Sequence, residues 1–190
     1  MTLRRVLTFA ALVLLAFIIG FASYAVPRWR GGPSTHAVAA TPPTPPAPPG
    51  RKIKARLFYV SEDGMRLTSL ERDVPYADTP VDQAREIVSA QIGAVAEPLV
   101  SAIPPGTTLR ALFITERGDA FVDLSKDVVT AHPGGSINEL LTVYTIVNVL
   151  TANLPAIGSV QVLVDGKEVD TIAGHVDVRR PLAKNLSLVQ

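Results

Sequence analysis

The longest apolar run of the chain lies at its start. Val6 to Val26, VLTFAALVLLAFIIGFASYAV, has 21 residues and no charge. Crossing the hydrocarbon of a bilayer takes about 20 helical residues at 1.5 Å rise. Arg4 and Arg5 precede the run, and Pro27, Arg28, Trp29 and Arg30 follow it. Tyr24 and Trp29 suit the interfacial belt. A cleaved signal peptide with small residues near Ser23-Tyr24-Ala25 is the alternative. The apolar run exceeds the usual signal-peptide core of about 7–15 residues, which favours an uncleaved anchor. The predicted organisation is an anchor with flanks over 1–30, a linker over 31–50 and one folded domain over 51–190. Residues 31–50 read GGPSTHAVAATPPTPPAPPG, with seven prolines and a lone His36. Such a stretch favours polyproline II and packs no core. As a spacer it reaches up to about 60 Å.

After residue 50 the periodicity changes. Ile53, Ala55, Leu57 and Tyr59 alternate with Lys54, Arg56, Phe58 and Val60, the period of a strand. Ser61 to Gly64 is a turn, and Leu67 to Val74 returns before Pro75. Asp78 or Thr79 can cap a helix with Pro80 at its first position. Val81, Ala84, Val88, Gln91 or Ile92, and Val95 then recur at helical spacing, up to Gly93 and Pro98. Leu109 to Thr115 is apolar on both faces, which predicts a central strand, and Ala120 to Leu124 returns after Arg117-Gly118-Asp119. Ser136 opens a second helix, with Glu139 three residues on completing a capping box. Ile137, Leu140, Leu141, Tyr144, Val147 and Leu150 form its stripe. Asn138, Thr142, Thr145 and Ala152 form a narrow polar strip. Val160 to Val164 is a strand. Asp165-Gly166 is a two-residue hairpin turn, and Glu168 to Ile172 returns. The predicted order is β-β-α-β-β-α-β-β: an α+β fold, an antiparallel-rich sheet with two helices on one face, preceded by an N-terminal transmembrane helix.

Composition narrows the function. Residues 1–50 hold four arginines and no acid, leaving 14 cations against 17 acids in the domain, a formal −3. That balance, with no basic cluster, argues against a nucleic-acid surface. The absence of cysteine excludes disulfides, thiolate catalysis and thiolate zinc sites.

Candidate chemistry is sparse. His175 and Asp177, read as i and i+2 on a strand, share one face. A metal site needs a third ligand, and His132 is the only other histidine of the domain. The structural reading is a histidine that fixes the last strand. Gly134-Gly135-Ser136 could hold an anion, but no lysine follows as in a P-loop, and the cap accounts for Ser136 and Glu139. No Gly-x-Ser-x-Gly elbow accompanies Ser101, Ser125 or Ser136. Asp123, Asp127, Asp165, Glu168 and Asp170 could supply paired carboxylates for sugar hydrolysis, but most sit at turns or alternate with apolar residues, where solvation explains them, and no acid is expected inside an apolar run. No cofactor, metal or small-molecule substrate is expected.

Four stretches carry a family resemblance: SAIPPGTTLRAL (101–112), FVDLSKDV (121–128), HPGGSINELLTVYTIVNVL (132–150) and VQVLVDGKEVDTIAGHVDVRRPL (160–182). Together they resemble the GerMN domain of sporulation and spore-germination proteins, over roughly residues 53–185. The resemblance implies an extracytoplasmic module on a membrane protein or lipoprotein, similar to ring-building motifs, with no enzymatic activity. It implies family-motif roles, structural in kind, for Gly134, Gly135, Ser136, Glu139, Asp165, Gly166, Gly174, His175, Asp177, Arg180 and Pro181. This sequence departs from the pattern in its single copy, its lack of a lipidation cysteine and its proline-rich stalk. The expected function is a membrane-anchored interaction or assembly module of the cell envelope, contacting an envelope protein or its own copies. A peptidoglycan-binding module and a hydrolase using His175 and Asp177 are the alternatives.

Overall fold

The computed structural model describes residues 50–190. The expected anchor, Trp29, His36 and the proline-rich stretch up to residue 49 lie outside them. Among the described residues no helix is long and apolar enough to cross a membrane.

Strands β1 (Lys52–Val60) and β2 (Leu67–Pro75) form an antiparallel hairpin, paired from Lys52↔Pro75 to Val60↔Leu67. Its turn is closed by Ser61, whose hydroxyl donates to Asp63 and accepts from the Arg66 N–H. Helix α1 (Pro80–Ile92) starts as its sequence predicts. Thr79 sits in extended backbone and accepts from the Asp82 N–H at 3.1 Å, and Pro80 follows at the first position, where its missing N–H costs nothing. Gly93 ends the helix.

A second sheet follows: β3 (Leu109–Ile114), β4 (Asp119–Leu124), β5 (Ser159–Val164) and β6 (Lys167–Glu168), in that order. β7 (Leu182–Ala183) shares the outer edge of β5 with β6. Between β4 and β5 run a short helix α2 (Asp127–Thr130) and the long helix α3 (Ser136–Asn153), so these two strands are parallel. A 3-10 turn at Leu186–Leu188 follows β7. One apolar core unites the layers: Leu57 and Phe58 from the hairpin, Ile87 from α1, Ile146 and Leu150 from α3, and Val122, Val160 and Val162 from the sheet. The β3–β4 turn is drawn close to the loop before β5, where the Gly158 N–H donates to the Gly118 carbonyl at 2.9 Å. Gly118 has φ +86°, and a Cβ there would run into the Ala156 carbonyl.

The class is α+β as expected, but four details differ. The strands form two sheets, because the open edge of β1 is filled by side chains of α1 and α3 rather than by another strand. β3 is an edge strand, not a central one. It pairs only with β4 and leaves Phe113 exposed, while Arg85 of α1 reaches the Leu112 carbonyl at 3.4 Å. The strand after Asp165-Gly166 lasts two residues instead of running to Ile172, because the chain leaves the sheet to meet Glu139. On α3, Thr142 and Thr145 are buried while Ile137, Leu140 and Tyr144 are partly exposed, so the middle of the expected polar strip faces the interior, whereas Asn138 is exposed and Ala152 partly so.

Candidate functional site

Glu139 lies in the first turn of α3 and is fully buried. It is not half of a capping box. The cap residue is Gly135, no side chain caps it, and Ser136 is exposed. The Glu139 carboxylate instead faces the segment between β6 and β7. Oε1 accepts from the N–H groups of Ile172 and Ala173, each at 2.8 Å. Oε2 accepts from the His175 N–H at 2.7 Å and lies 3.2 Å from His175 Nδ1. Burial alone pushes this carboxyl group up. The N–H groups of Ala173, His175, Val176 and Ile172 more than reverse that, and its pKa ends below the ordinary value. A ring of backbone donors thus takes the place of water around a buried anion.

This accounts for the positions of His175 and Asp177. They lie in a loop, not on a strand, and do not share one metal or catalytic face. The ring of His175 turns to Glu139. Asp177 turns to Arg179, which grips it with Nε at 3.0 Å, a terminal nitrogen at 2.7 Å and its backbone N–H at 3.0 Å. The guanidinium hydrogen bonds hold the Asp177 carboxyl down at about 2. Gly174 turns the loop at φ +93°, and the Val178 N–H returns to the Asp170 carbonyl at 2.9 Å. Arg180 and Pro181 are exposed where the loop leads into β7.

Other polar residues of α3 each hold a different segment. His132 Nδ1 accepts from the Gly134 N–H at 2.9 Å, which assigns the proton to Nε2. That nitrogen reaches the Thr142 hydroxyl at 3.2 Å, and the hydroxyl donates to the Ala102 carbonyl at 2.6 Å. Burial of His132 lowers its pKa, with Glu139 acting against it and the nearby His175 in the same direction. Asn148 accepts from the Asn185 N–H and donates to its carbonyl, fixing the C-terminal segment. The Thr145 hydroxyl has no partner among the described residues.

The second buried acid, Asp123, accepts from the Gly166 N–H at 2.7 Å and lies 3.6 Å from Arg110. Arg110 also meets Asp165 at 3.2 Å. Asp165 and Gly166 have φ of +50° and +75°, the turn the sequence predicts. Among the described residues no cluster of histidine and acidic side chains is placed to hold a metal ion. Two clefts of about 270 Å³ open elsewhere. One lies beside Val60, Val100, Pro104, Pro133 and Asn138, the other beside Tyr76, Pro80, Ile114, Leu154 and Ile157. Neither is lined by Glu139, His175 or Asp177.

Sequence reasoning missed Glu139 as the organiser of this site. The available signal was a carboxylate flanked by Ile137, Leu140 and Leu141 at the start of a helix with no other charged residue.

These features define a mixed α+β domain whose long central helix anchors the surface segments around it. The family model described as Germane, sporulation and spore germination, matches residues 56–170, and the chain belongs to that family. No curated protein matches the chain. Among solved structures it is similar to a protein from Clostridium perfringens assigned as a lipoprotein. The identity is 22% and the TM-score 0.51, over 70% of this chain and 88% of that one. It is also similar to the tandem GerMN domains of the sporulation protein GerM from Bacillus subtilis. There the identity is 17% and the TM-score 0.52, over 72% of this chain and 46% of the tandem structure. At these identities the likeness is one of fold.

Proposed function

We propose that this chain presents a Germane domain on the extracytoplasmic side of a membrane as a non-catalytic interaction and assembly module, in a role tied to spore formation or germination. One observation carries the reading: Glu139, the fully buried acid, is committed to holding a loop in shape. Its lone pairs go to backbone N–H groups and to His175, which leaves it unsuited to proton transfer. Asp123 is likewise committed to Gly166. What such an arrangement yields is a fixed surface, in which the segment 169–181 exposes His175, Asp177, Arg179 and Arg180 in one geometry. The family and the GerM and lipoprotein likenesses support the sporulation setting and the extracytoplasmic placement. The apolar run at 6–26 would supply the anchor, and the proline-rich stretch the stalk.

The test is crosslinking and pull-down of the full chain from its native envelope. The expected result is recovery of an envelope protein or of a second copy. Recovery of neither contradicts the proposal. A His175→Ala chain that folds is expected to complement a deletion strain. Complete loss of function despite normal folding and normal partner recovery would point to catalysis instead.

A further inference from the structure

A lone strand edge is a template for unwanted pairing, and natural proteins cover, charge or shorten such edges. β1 has β2 on one side only. On its other side the N–H and carbonyl groups of Arg56, Phe58 and Val60 point away from β2, and each is met differently. The Val60 N–H donates to the Val100 carbonyl at 2.9 Å. At Phe58 the Gln91 carboxamide of α1 accepts from the N–H at 2.8 Å and donates to the carbonyl at 2.7 Å. At Arg56 the Asn153 carboxamide of α3 accepts from the N–H and donates to the carbonyl, both at 2.8 Å. A carboxamide carries one acceptor and two donors at nearly the spacing of a peptide group. Each of these side chains therefore occupies the two positions that one residue of a neighbouring strand would fill. The edge continues toward Lys52 and Lys54, whose exposed ammonium groups disfavour a flat partner.

We infer that Gln91 and Asn153 form an edge lock: two helices close β1 with strand-mimicking amides and so prevent a second copy from pairing along it. The Gln91 bonds are buried under α1, whereas the Asn153 bonds lie at the surface. Asn153 is thus the outer bolt, and its loss opens the edge from Lys52 to Arg56 without removing α1. The lock also explains why the hairpin remains a sheet of its own.

The chain has no cysteine, so a single introduced thiol reports specifically. The experiment uses the full chain carrying Lys54→Cys, with and without Asn153→Leu, treated with a short bismaleimide. Covalent dimer is read on a denaturing gel, and amide exchange is read at Arg56. The inference expects faster exchange at Arg56 and at least a threefold rise in dimer when Asn153 is replaced. Faster exchange with no rise in dimer overturns the lock and leaves Asn153 a stabilising contact only. Unchanged exchange at Arg56 overturns it as well. Should Asn153→Leu fail to fold, Asn153→Asp keeps the acceptor and repels the Arg56 carbonyl. That variant is expected to move both readouts in the same direction by a smaller factor, and no movement in either contradicts the inference.

Discussion

The starts of α1 and α3 look alike in sequence and differ in the molecule. Both place a hydroxyl residue three positions before an acid: Thr79 before Asp82, and Ser136 before Glu139. At α1 the pair behaves locally. Thr79 accepts from the Asp82 N–H and donates to its carboxylate at 2.6 Å, in solvent. At α3 the hydroxyl is exposed, Gly135 takes the cap position, and the carboxylate reaches segments more than thirty residues away. The same short pattern serves opposite ends because the surroundings differ. Asp82 lies on an outward face, while Glu139, the one charged residue of its helix, is buried beneath the loop between β6 and β7. A capping box is worth about 1 kcal/mol. A ring of backbone donors around a buried carboxylate is worth more, since each charged hydrogen bond contributes about 1.5–3 kcal/mol.

The comparison can be broken in order of expected effect. Glu139→Ala leaves the Ile172, Ala173 and His175 N–H groups without their acceptor and is expected to cost about 3–5 kcal/mol, read as the denaturant midpoint. Thr79→Ala is expected to cost about 1 kcal/mol, with the loss confined to the first turn of α1. If the two losses were equal, the distinction between the helices would fail. A smaller effect concerns acid. The pKa of His132 is lowered on folding, so its contribution is complete above the ordinary imidazole value of 6.5 and erodes as pH falls through the depressed one. The Glu139 contribution, also from a lowered pKa, is complete above 4.5 and is lost at still lower pH. Midpoints measured from pH 8 to pH 2 should therefore decline in two stages, the second below pH 4.5, and His132→Gln should flatten the first. An identical profile for wild type and variant would contradict the assignment of His132. Smallest of all, Ser136→Ala is expected to change stability by less than about 0.5 kcal/mol.

The sequence was most legible where structure is local. The β1–β2 alternation, the Thr79-Pro80 helix start and the Asp165-Gly166 turn rest on contacts within one segment or between consecutive ones, and each lies where the pattern places it. It was least legible where a polar side chain acts at long range. Periodicity marked Thr142 and Thr145 as a solvent strip, yet both are inside, Thr142 because it links Ala102 to His132. The apolar character of Leu109 to Thr115 suggested a central strand, although Phe113 faces solvent on an edge. His175 and Asp177 were legible as a pair in sequence, but their partners, Glu139 and Arg179, could not be read from the i, i+2 spacing. Glu139 was visible as a helix-start residue, and its role required knowing which chain segment would cross that end of the helix.

The central claim is that Glu139 shapes the loop rather than the start of its own helix. Amide exchange in Glu139→Gln and Ser136→Ala, measured side by side, tests it most directly. The account predicts that Glu139→Gln, whose single oxygen can still serve Ile172 and Ala173, strips protection from the His175 amide, where an amide donor replaces Oε2, while Ser136→Ala leaves it unchanged. Loss of protection confined to Ser136, Ile137 and Asn138 in both variants would contradict it.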